Sequence, residues 1–138
     1  MRRHRPMVGD VIQLSLPSGR FAYGRVLRDA SVAFYDETTS EPGQPPIGNR
    51  NYRFVVGVYD DVLRSDKCPV VGWDPSANLE EDWPPPHKVT DPITKTVRVY
   101  HKGTMRPAAD YEHESLESAA VWDYKQVIER LEVPWEAT

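Results

Sequence analysis

Few residues in this sequence combine the type and the spacing that catalysis requires. Cys68 is the single cysteine, and a nucleophilic thiol needs a histidine base beside it. Pro69 follows Cys68, and nothing in the sequence ties the thiol to His87, His101 or His113. We therefore expect Cys68 to be a small packed residue.

Other signatures of catalytic or ligand-binding proteins are also missing from the sequence. The four histidines show neither helical nor zinc-finger spacing, and there is no phosphate loop, dinucleotide fingerprint or serine elbow. Glu80, Glu81 and Asp82 could hold a cation or act as acid and base, but adjacent acids in a loop more often form a solvated surface. The sequence predicts no catalytic residue, no cofactor and no metal.

Tryptophan in a polar stretch is a clearer signal, and it indicates binding. Trp83 follows the three acids and precedes three prolines, within a turn-rich stretch that covers residues 74–96. Such a long connection in a compact domain tends to be a binding loop or a flexible one. Trp73 lies just before it. An exposed tryptophan beside carboxylates is a plausible anchor for a protein partner.

The formal charge of −4 is distributed unevenly along the chain. Three arginines make the first six residues positive, so residues 7–138 carry −7, and the part from Asp110 onward holds eight acids against Lys125 and Arg130, a net of −6. This balance disfavours phosphate backbones and favours a basic partner, although solubility alone is the commoner explanation.

A sheet-based nucleic-acid or small-ligand binding module is one alternative. The aromatic residues of two predicted strands would stack on bases, and arginines near them would contact phosphates. The net charge argues against nucleic acid, and aromatic residues in strands more often pack in a core. The residues concerned are Phe21, Tyr23, Phe34, Tyr35, Arg2, Arg3, Arg5, Arg20, Arg25 and Arg28.

Alternating apolar residues predict a hairpin near the start of the chain. Residues 8–16 form the first strand and residues 20–28 the second, joined by a three-residue Pro-Ser-Gly loop. Pairing Leu16 with Arg20 places Leu14 opposite Ala22 and Ile12 opposite Gly24. Large side chains then face small ones, which leaves room above the sheet.

Two structures would account for the small side chains at Ala22 and Gly24. A C-terminal helix can lie there, with Trp122 or Tyr124 over Ala22 and Gly24. Alternatively, Gly24 simply marks a bend in a curled sheet.

Four further strands follow. Residues 31–36 complete a meander, and a surface loop at residues 37–51 leads to the most apolar strand, residues 52–59, which is central or covered on both faces. Residues 68–73 fit a short strand, and residues 96–101 the last one. Residues 102–110 then cross to the helix.

The C-terminal part carries the strongest helical pattern. Apolar residues recur every three or four positions from Leu116 to Leu131, which predicts an amphipathic helix over residues 115–132. Ser115 is a suitable N-cap, and Pro134 ends the helix. Glu117 and Asp123 lie on its acidic outer face.

These elements predict one α+β domain over residues 1–138, in which residues 1–6 are a flexible basic N-terminus. Its core is a strongly curved, half-barrel-like antiparallel sheet of about five or six strands, with one long C-terminal α-helix packed on it. The single cysteine excludes an internal disulfide, no signal peptide is recognisable, and no apolar run reaches the ~20 residues of a membrane span. We expect a cytoplasmic protein that does not enter a membrane.

Several of these segments, in this order, resemble the immunity protein 26 family of bacterial polymorphic toxin systems. They are residues 9–14, 21–27 and 34–36, the Trp-Pro-Pro-Pro cluster at 83–86, the Leu-Glu-Ser-Ala-Ala-Val-Trp-Asp segment at 116–123, and residues 127–131. The resemblance spans nearly the whole chain. At the Thr-Lys-Thr of residues 94–96, a glycine would be expected in the turn.

The resemblance implies a non-enzymatic cytoplasmic protein that binds a toxin, often a nuclease, and blocks it, and it supplies no catalytic residue. An acidic inhibitor suits a toxin with a basic substrate surface. The predicted partner is therefore a basic cognate toxin, and homo-oligomers are left open. The predicted contact residues are Glu80, Glu81, Asp82, Trp83, Glu117 and Asp123. An enzyme that uses Cys68 or the acidic loop is a third alternative.

Overall fold

The computed structural model describes residues 5–133, which form nine β-strands, three short α-helices and one 3-10 helix. The strands are β1 (Asp10–Ser15), β2 (Phe21–Val26), β3 (Ser31–Thr39), β4 (Tyr52–Val58), β5 (Val70–Trp73), β6 (His87–Thr90), β7 (Val97–His101), β8 (Thr104–Pro107) and β9 (Val121–Trp122). The helices are α1 (Asp60–Leu63), α2 (Glu112–Ser115) and α3 (Tyr124–Glu132), and the 3-10 helix is Leu79–Asp82. Within these residues, no helix is long and apolar enough to cross a membrane.

The strands form two sheets. The main sheet has six strands in the order β5-β1-β2-β3-β4-β9, and a second sheet has three strands in the order β6-β7-β8. The α+β class is confirmed. The prediction of one sheet of about five or six strands holds only in part: the main sheet has six strands, but the predicted strand at residues 96–101 lies in the second sheet as β7, and β9, which was not predicted, takes the sixth place. The prediction of a purely antiparallel sheet is wrong, because β9 runs parallel to β4 in an open, mixed sheet.

The predicted first hairpin is confirmed in its register. Leu14 pairs with Ala22 and Ile12 with Gly24. The Leu16 N–H donates to the Arg20 carbonyl at 2.9 Å, which closes the loop. Gly19 has a φ of 89°, the left-handed conformation that glycine adopts without strain.

The helix does not fill the room above Gly24. A Cβ at Gly24 would lie 2.4 Å from Val32 Cγ1 and 3.1 Å from the Phe34 ring, so residues of β3 occupy that room. The β2–β3 register also shifts between Ala22 and Gly24, which agrees with the alternative that Gly24 marks an irregularity. Trp122 instead stacks on Phe54, with the ring centroids 6.4 Å apart.

The main core lies on one face of the main sheet. Val127 and Leu131 of α3 are buried there against side chains from β1 to β4, and Trp122, Tyr124 and Ile128 pack around them. Cys68 is fully buried in the same core, which confirms that it is a packed residue. The core residues contributed by the strands are Ile12, Leu14, Ala22, Val26, Val32, Phe34, Phe54, Val56 and Val58.

The single helix predicted over residues 115–132 is wrong. Ser115 is the last residue of α2 and not an N-cap, because Leu116 adopts an extended conformation with φ −94° and ψ 140°. The backbone of the following residues bonds to both sheets: the Lys88 N–H donates to the Glu117 carbonyl, and the Tyr59 N–H to the Trp122 carbonyl. Tertiary β-pairing overrides the helical periodicity.

α3 begins only after Asp123. The Asp123 carboxylate accepts from the Gln126 N–H at 2.8 Å, and the Gln126 side chain accepts from the Asp123 N–H at 3.0 Å. This capping box sets the helix start. Pro134, the predicted terminator, lies outside the described residues.

The second sheet contains a hairpin that the sequence analysis missed. Lys102 and Gly103 both have positive φ, 54° and 79°, and they join β7 to β8 where a plain crossing was predicted. Residues 74–96, expected to be irregular, include the 3-10 helix and β6. Lys95, in the turn where glycine was expected, has a φ of 64°.

Candidate functional site

The second face of the main sheet carries a small apolar cluster and a polar layer. Val11, Tyr23 and Tyr35 are buried there, with Tyr52 and Val71 packed beside them. These side chains alternate along the strands with those of the main core, so they point away from α3. The 40–51 loop and residues 74–82 contact this face through hydrogen bonds.

Arg25 is the centre of the polar layer and is fully buried. Its guanidinium donates to the carbonyls of Asp74 (2.7 Å) and Glu81 (2.8 Å) and forms an ion pair with Asp82 at 2.9 Å. A buried guanidinium needs several partners of this kind to offset its desolvation. Arg25 therefore holds residues 74–82 against the sheet, and it cannot contact a phosphate. Tyr23 and Phe34 are also fully buried, so they cannot stack on bases.

Asp74 is a second buried charge in this layer. Its carboxylate accepts from Tyr35 Oη at 2.5 Å, from Arg50 Nη1 at 2.9 Å and from the Gly48 N–H at 3.2 Å. Burial on its own raises the pKa of Asp74, but these three hydrogen bonds outweigh burial and lower that pKa. Burial and the bond to Asp74 also raise the pKa of Tyr35, so the tyrosine remains a hydrogen-bond donor.

The predicted contact residues Glu80, Glu81 and Asp82 are brought together in the 3-10 helix, where each has a basic partner. Glu80 pairs with Lys102, Glu81 Oε2 lies 3.2 Å from Arg50 Nε, and Asp82 pairs with Arg25. Glu80 is the most accessible of the three, since its side chain is 73% exposed. Asp82 is buried, so it holds the loop in place and does not face solvent.

Trp83 and the three prolines after it line clefts on the protein surface, and we call this segment the Trp83 ridge (residues 83–86). The Trp83 ring is half-buried, and the Arg28 guanidinium lies 5.3 Å from its centroid. Proline has a fixed φ, so the backbone of the ridge loses little freedom when a partner binds. The ridge is therefore a preorganised surface.

Three clefts meet at the Trp83 ridge. The Arg50 cleft, about 500 Å³, contains Glu80, Glu81 and Trp83; the Arg28 cleft, about 580 Å³, also contains Trp83. The intersheet cleft, about 250 Å³, lies between the ridge and β7 and is lined by Pro84 and Pro85. Large concave surfaces therefore flank the ridge on several sides.

Tyr52 lines the Arg50 cleft, and its hydroxyl group lacks a hydrogen-bond partner within the described residues. Its hydroxyl oxygen is buried and has no hydrogen-bond partner among residues 5–133. Its ring lies 5.5 Å from that of Tyr35, and burial raises its pKa, so the hydroxyl stays protonated. The sequence held no signal of this group, since it depends on what surrounds the side chain.

The two remaining predicted contact residues, Glu117 and Asp123, line none of the three clefts at the ridge. Glu117 is not in a helix and pairs with Arg130, whose guanidinium lies 4.1 Å from the Phe54 ring centroid and 5.1 Å from that of Trp122. Asp123 is exposed and caps α3. Both residues therefore have a structural role, and their contact with a partner stays a prediction.

The described part of the chain contains no candidate metal-binding site. Within residues 5–133, no group of three or more histidine, cysteine or acidic side chains is arranged to hold an ion. Cys68 lies in the core, where a substrate cannot reach it.

In a comparison with protein families, the model of the family described as Immunity protein 26 matches residues 7–98. Comparison with curated proteins and with solved structures finds no match. The matched range contains β1 to β6 and the Trp83 ridge, and it ends before the C-terminal segment that also carried the sequence resemblance. Because the match covers two thirds of its length, the chain belongs to the immunity protein 26 family.

Proposed function

We propose that this protein is a non-enzymatic immunity protein that binds the toxin of a bacterial polymorphic toxin system in the cytoplasm and blocks it. The observation that carries this proposal is the family match over residues 7–98, because immunity proteins act against toxins. The burial of Cys68 and the internal pairing of the Glu80–Asp82 acids both weigh against the alternative of an enzyme.

The toxin is proposed to be basic, as a nuclease is. The support is electrostatic: residues 7–138 carry a net charge of −7, and an acidic inhibitor is attracted to the surface with which a nuclease binds its phosphate substrate.

The proposed contact surface is the Trp83 ridge with Glu80 and Glu81 beside it. A half-buried tryptophan beside two open clefts can bury more of its ring against a partner, and interface energy concentrates in such aromatic residues. Glu80 is exposed enough to attract a basic partner from solution, whereas Asp82 is buried and holds the loop to the sheet through its ion pair with Arg25.

The test is co-expression with the toxin encoded beside this gene, followed by binding kinetics at two salt concentrations. We expect Trp83→Ala to weaken binding about 30-fold, the factor for a loss of ~2 kcal/mol, mainly through faster dissociation. Glu80→Gln should slow association and reduce its salt dependence. Glu114→Gln is the matched control, since Glu114 is exposed on α2 and lines none of the clefts at the ridge.

Two results would count against the proposal in different ways. If the parent protein neither protects cells nor binds the toxin, the immunity role is wrong. If the parent binds and both Trp83→Ala and Glu80→Gln match it, the role stands and the ridge is not the contact surface.

A further inference from the structure

The intersheet cleft is formed where the two sheets meet the Trp83 ridge. It is lined by Gly57 of the main sheet, Tyr100 of the second sheet, Pro84 and Pro85 of the ridge, and residues 119–121 at the start of β9. Its volume is about 250 Å³. Segments that are far apart in the sequence therefore converge on one small space.

Small residues keep this space open. Gly57 pairs with Val121 across β4 and β9, and a Cβ on Gly57 would lie 3.3 Å from the Ala120 carbonyl oxygen. Ala119 and Ala120 carry only methyl groups, and both remain exposed. The absence of larger side chains at these three positions leaves a concave apolar surface that the core does not fill.

Most polar side chains that line the cleft already have partners within the chain. The two ring nitrogens of His87 lie 2.8 Å from the Pro85 carbonyl oxygen and 3.2 Å from that of Val55. The Lys102 ammonium pairs with Glu80. An occupant of the cleft therefore does not need to supply hydrogen bonds to these groups, which favours an apolar occupant.

Asp29 is a polar group of the lining that can accept a further hydrogen bond. Its carboxylate accepts from Tyr100 Oη at 3.2 Å, and its backbone carbonyl accepts from Ser31 Oγ at 3.1 Å. A carboxylate has about four acceptor positions. Asp29 is also exposed, so an N–H or O–H group of an occupant can reach its carboxylate.

The walls of the cleft are fixed by backbone hydrogen bonds and by proline. The Ala119 N–H donates to the Lys88 carbonyl of β6 at 2.8 Å, and Val121 pairs with Gly57 of β4, so this segment is bonded to both sheets. In the ridge, Pro84 is buried, and its ring fixes the backbone φ. Walls that are fixed before binding lose little conformational freedom when the cleft is filled.

We propose that the intersheet cleft receives one aromatic side chain of the toxin, a tyrosine or a tryptophan, whose ring fills the apolar space and whose O–H or N–H donates to the Asp29 carboxylate. This inference rests on the proposed immunity function and adds a contact that is continuous with the proposed surface, because Pro84 and Pro85 belong to both the cleft and the ridge. A volume of about 250 Å³ is below the ~300–1,000 Å³ of small-molecule pockets, so the cleft suits a single side chain. Tyrosine and tryptophan combine a large apolar ring with one donor group, and interface energy concentrates in them.

The first experiment tests the cleft without the toxin. Indole, an aromatic ring with one N–H, is titrated into the isotope-labelled full chain, and NMR follows the amide signals of Gly57, Ala119 and Ala120. We expect saturable shifts with a Kd on the order of 1 mM. Butylammonium, which carries a charge in place of the ring, should bind about tenfold more weakly, because the apolar walls do not solvate it.

Asp29→Asn tests the hydrogen bond at the end of the cleft occupant. Asp29 has a φ of 59°, a left-handed conformation that asparagine tolerates, so the variant keeps the backbone of the turn. It replaces a charged acceptor with a neutral one and should weaken indole binding about threefold. Indole binding that Asp29→Asn leaves unchanged would overturn the contact with Asp29.

The second experiment measures the Kd for the toxin domain encoded beside this gene. Ala120→Leu fills the cleft, and its melting temperature should match that of the parent because Ala120 is exposed. We expect this variant to lose indole binding and to raise the Kd for the toxin about 30-fold, as for the loss of an interface anchor. Ala109→Leu is the matched control and should change neither Kd, because it adds the same volume at an exposed alanine that lines none of the clefts at the ridge.

Three results would each overturn the inference and leave the immunity function standing. They are indole that shifts none of the three amide signals, a stronger response to butylammonium than to indole, and an Ala120→Leu variant that binds the toxin as Ala109→Leu does. If the parent protein does not bind the toxin, the immunity function itself fails.

Discussion

Arg25 and Tyr52 are two polar residues on the same face of the main sheet, and their hydrogen bonding differs completely. Every group of the Arg25 guanidinium has a partner in residues 74–82, whereas the buried Tyr52 hydroxyl has none within the described residues. An unmade hydrogen bond in the interior costs about 1–3 kcal/mol. Arg25 therefore stabilises the loop that carries Trp83, whereas the Tyr52 hydroxyl adds no hydrogen bond within the described residues.

At the residue scale we predict that Tyr52→Phe leaves stability unchanged or raises it by about 1 kcal/mol, because only an unsatisfied hydroxyl is lost. Urea denaturation measures the change in the free energy of unfolding. Tyr35→Phe is the matched control: its hydroxyl donates to Asp74 at 2.5 Å, so its loss should cost about 1–3 kcal/mol. A Tyr52→Phe variant as unstable as Tyr35→Phe would mean that the Tyr52 hydroxyl has a partner after all.

Among the structural elements, the turns of the second sheet have an unusual backbone conformation. Lys95 and Lys102 both adopt positive φ, 64° and 54°, in the two turns that join its strands. A non-glycine residue pays roughly 1–2 kcal/mol for this conformation. Lys102 pairs with Glu80, whereas no hydrogen bond or ion pair of the Lys95 side chain occurs within the described residues.

We therefore predict that Lys95→Gly stabilises the protein by about 0.5–1 kcal/mol, the relief of strain less the greater backbone freedom of glycine when unfolded. Chemical denaturation of parent and variant provides the measurement. The reverse change, Gly19→Ala, is the control, because Gly19 has a φ of 89° and open space around it, so any loss comes from backbone strain alone. A destabilised Lys95→Gly variant would show that the lysine side chain contributes more than the strain costs.

Ion pairs link separate helices and strands of the molecule. Arg106 of β8 binds Glu112 of α2 through two hydrogen bonds of 2.7 Å, while Arg25 connects β2 to the 3-10 helix. These hydrogen bonds from Arg106, with one from the Ala109 N–H, lower the pKa of Glu112 to about 2. In the unfolded chain, a glutamate has a pKa of about 4.3.

The stability of the whole molecule should therefore fall in acid. Because the folded pKa is the lower one, the contribution of Glu112 is complete above pH ~4.3 and is lost as the pH falls toward ~2. We predict that Glu112→Gln has a lower melting temperature than the parent at pH 7, and that the difference shrinks between pH 4.5 and 2. Glu114→Gln, an exposed neighbour in α2, should show no such difference. A constant gap across this range would mean that the effect of Glu112 does not come from its charge.

The parts of the fold that could be predicted are those in which the interacting residues are close together in the sequence. The first hairpin was predictable to the residue, because alternation in β1 and the Pro-Ser-Gly loop act between close neighbours. The family resemblance was likewise visible in the order of these local segments, and the match over residues 7–98 supports it.

Tertiary structure alone decided the C-terminal segment and the role of the acids. Residues 116–123 have a helical apolar period, but their backbone pairs with Gly57 and Lys88, which are remote in sequence. Asp82 resembles a solvated loop residue until Arg25, 57 positions away, is brought beside it. Local periodicity and turn chemistry are encoded in short stretches, whereas pairing and burial depend on which distant segments meet, and no short stretch of the sequence shows those contacts.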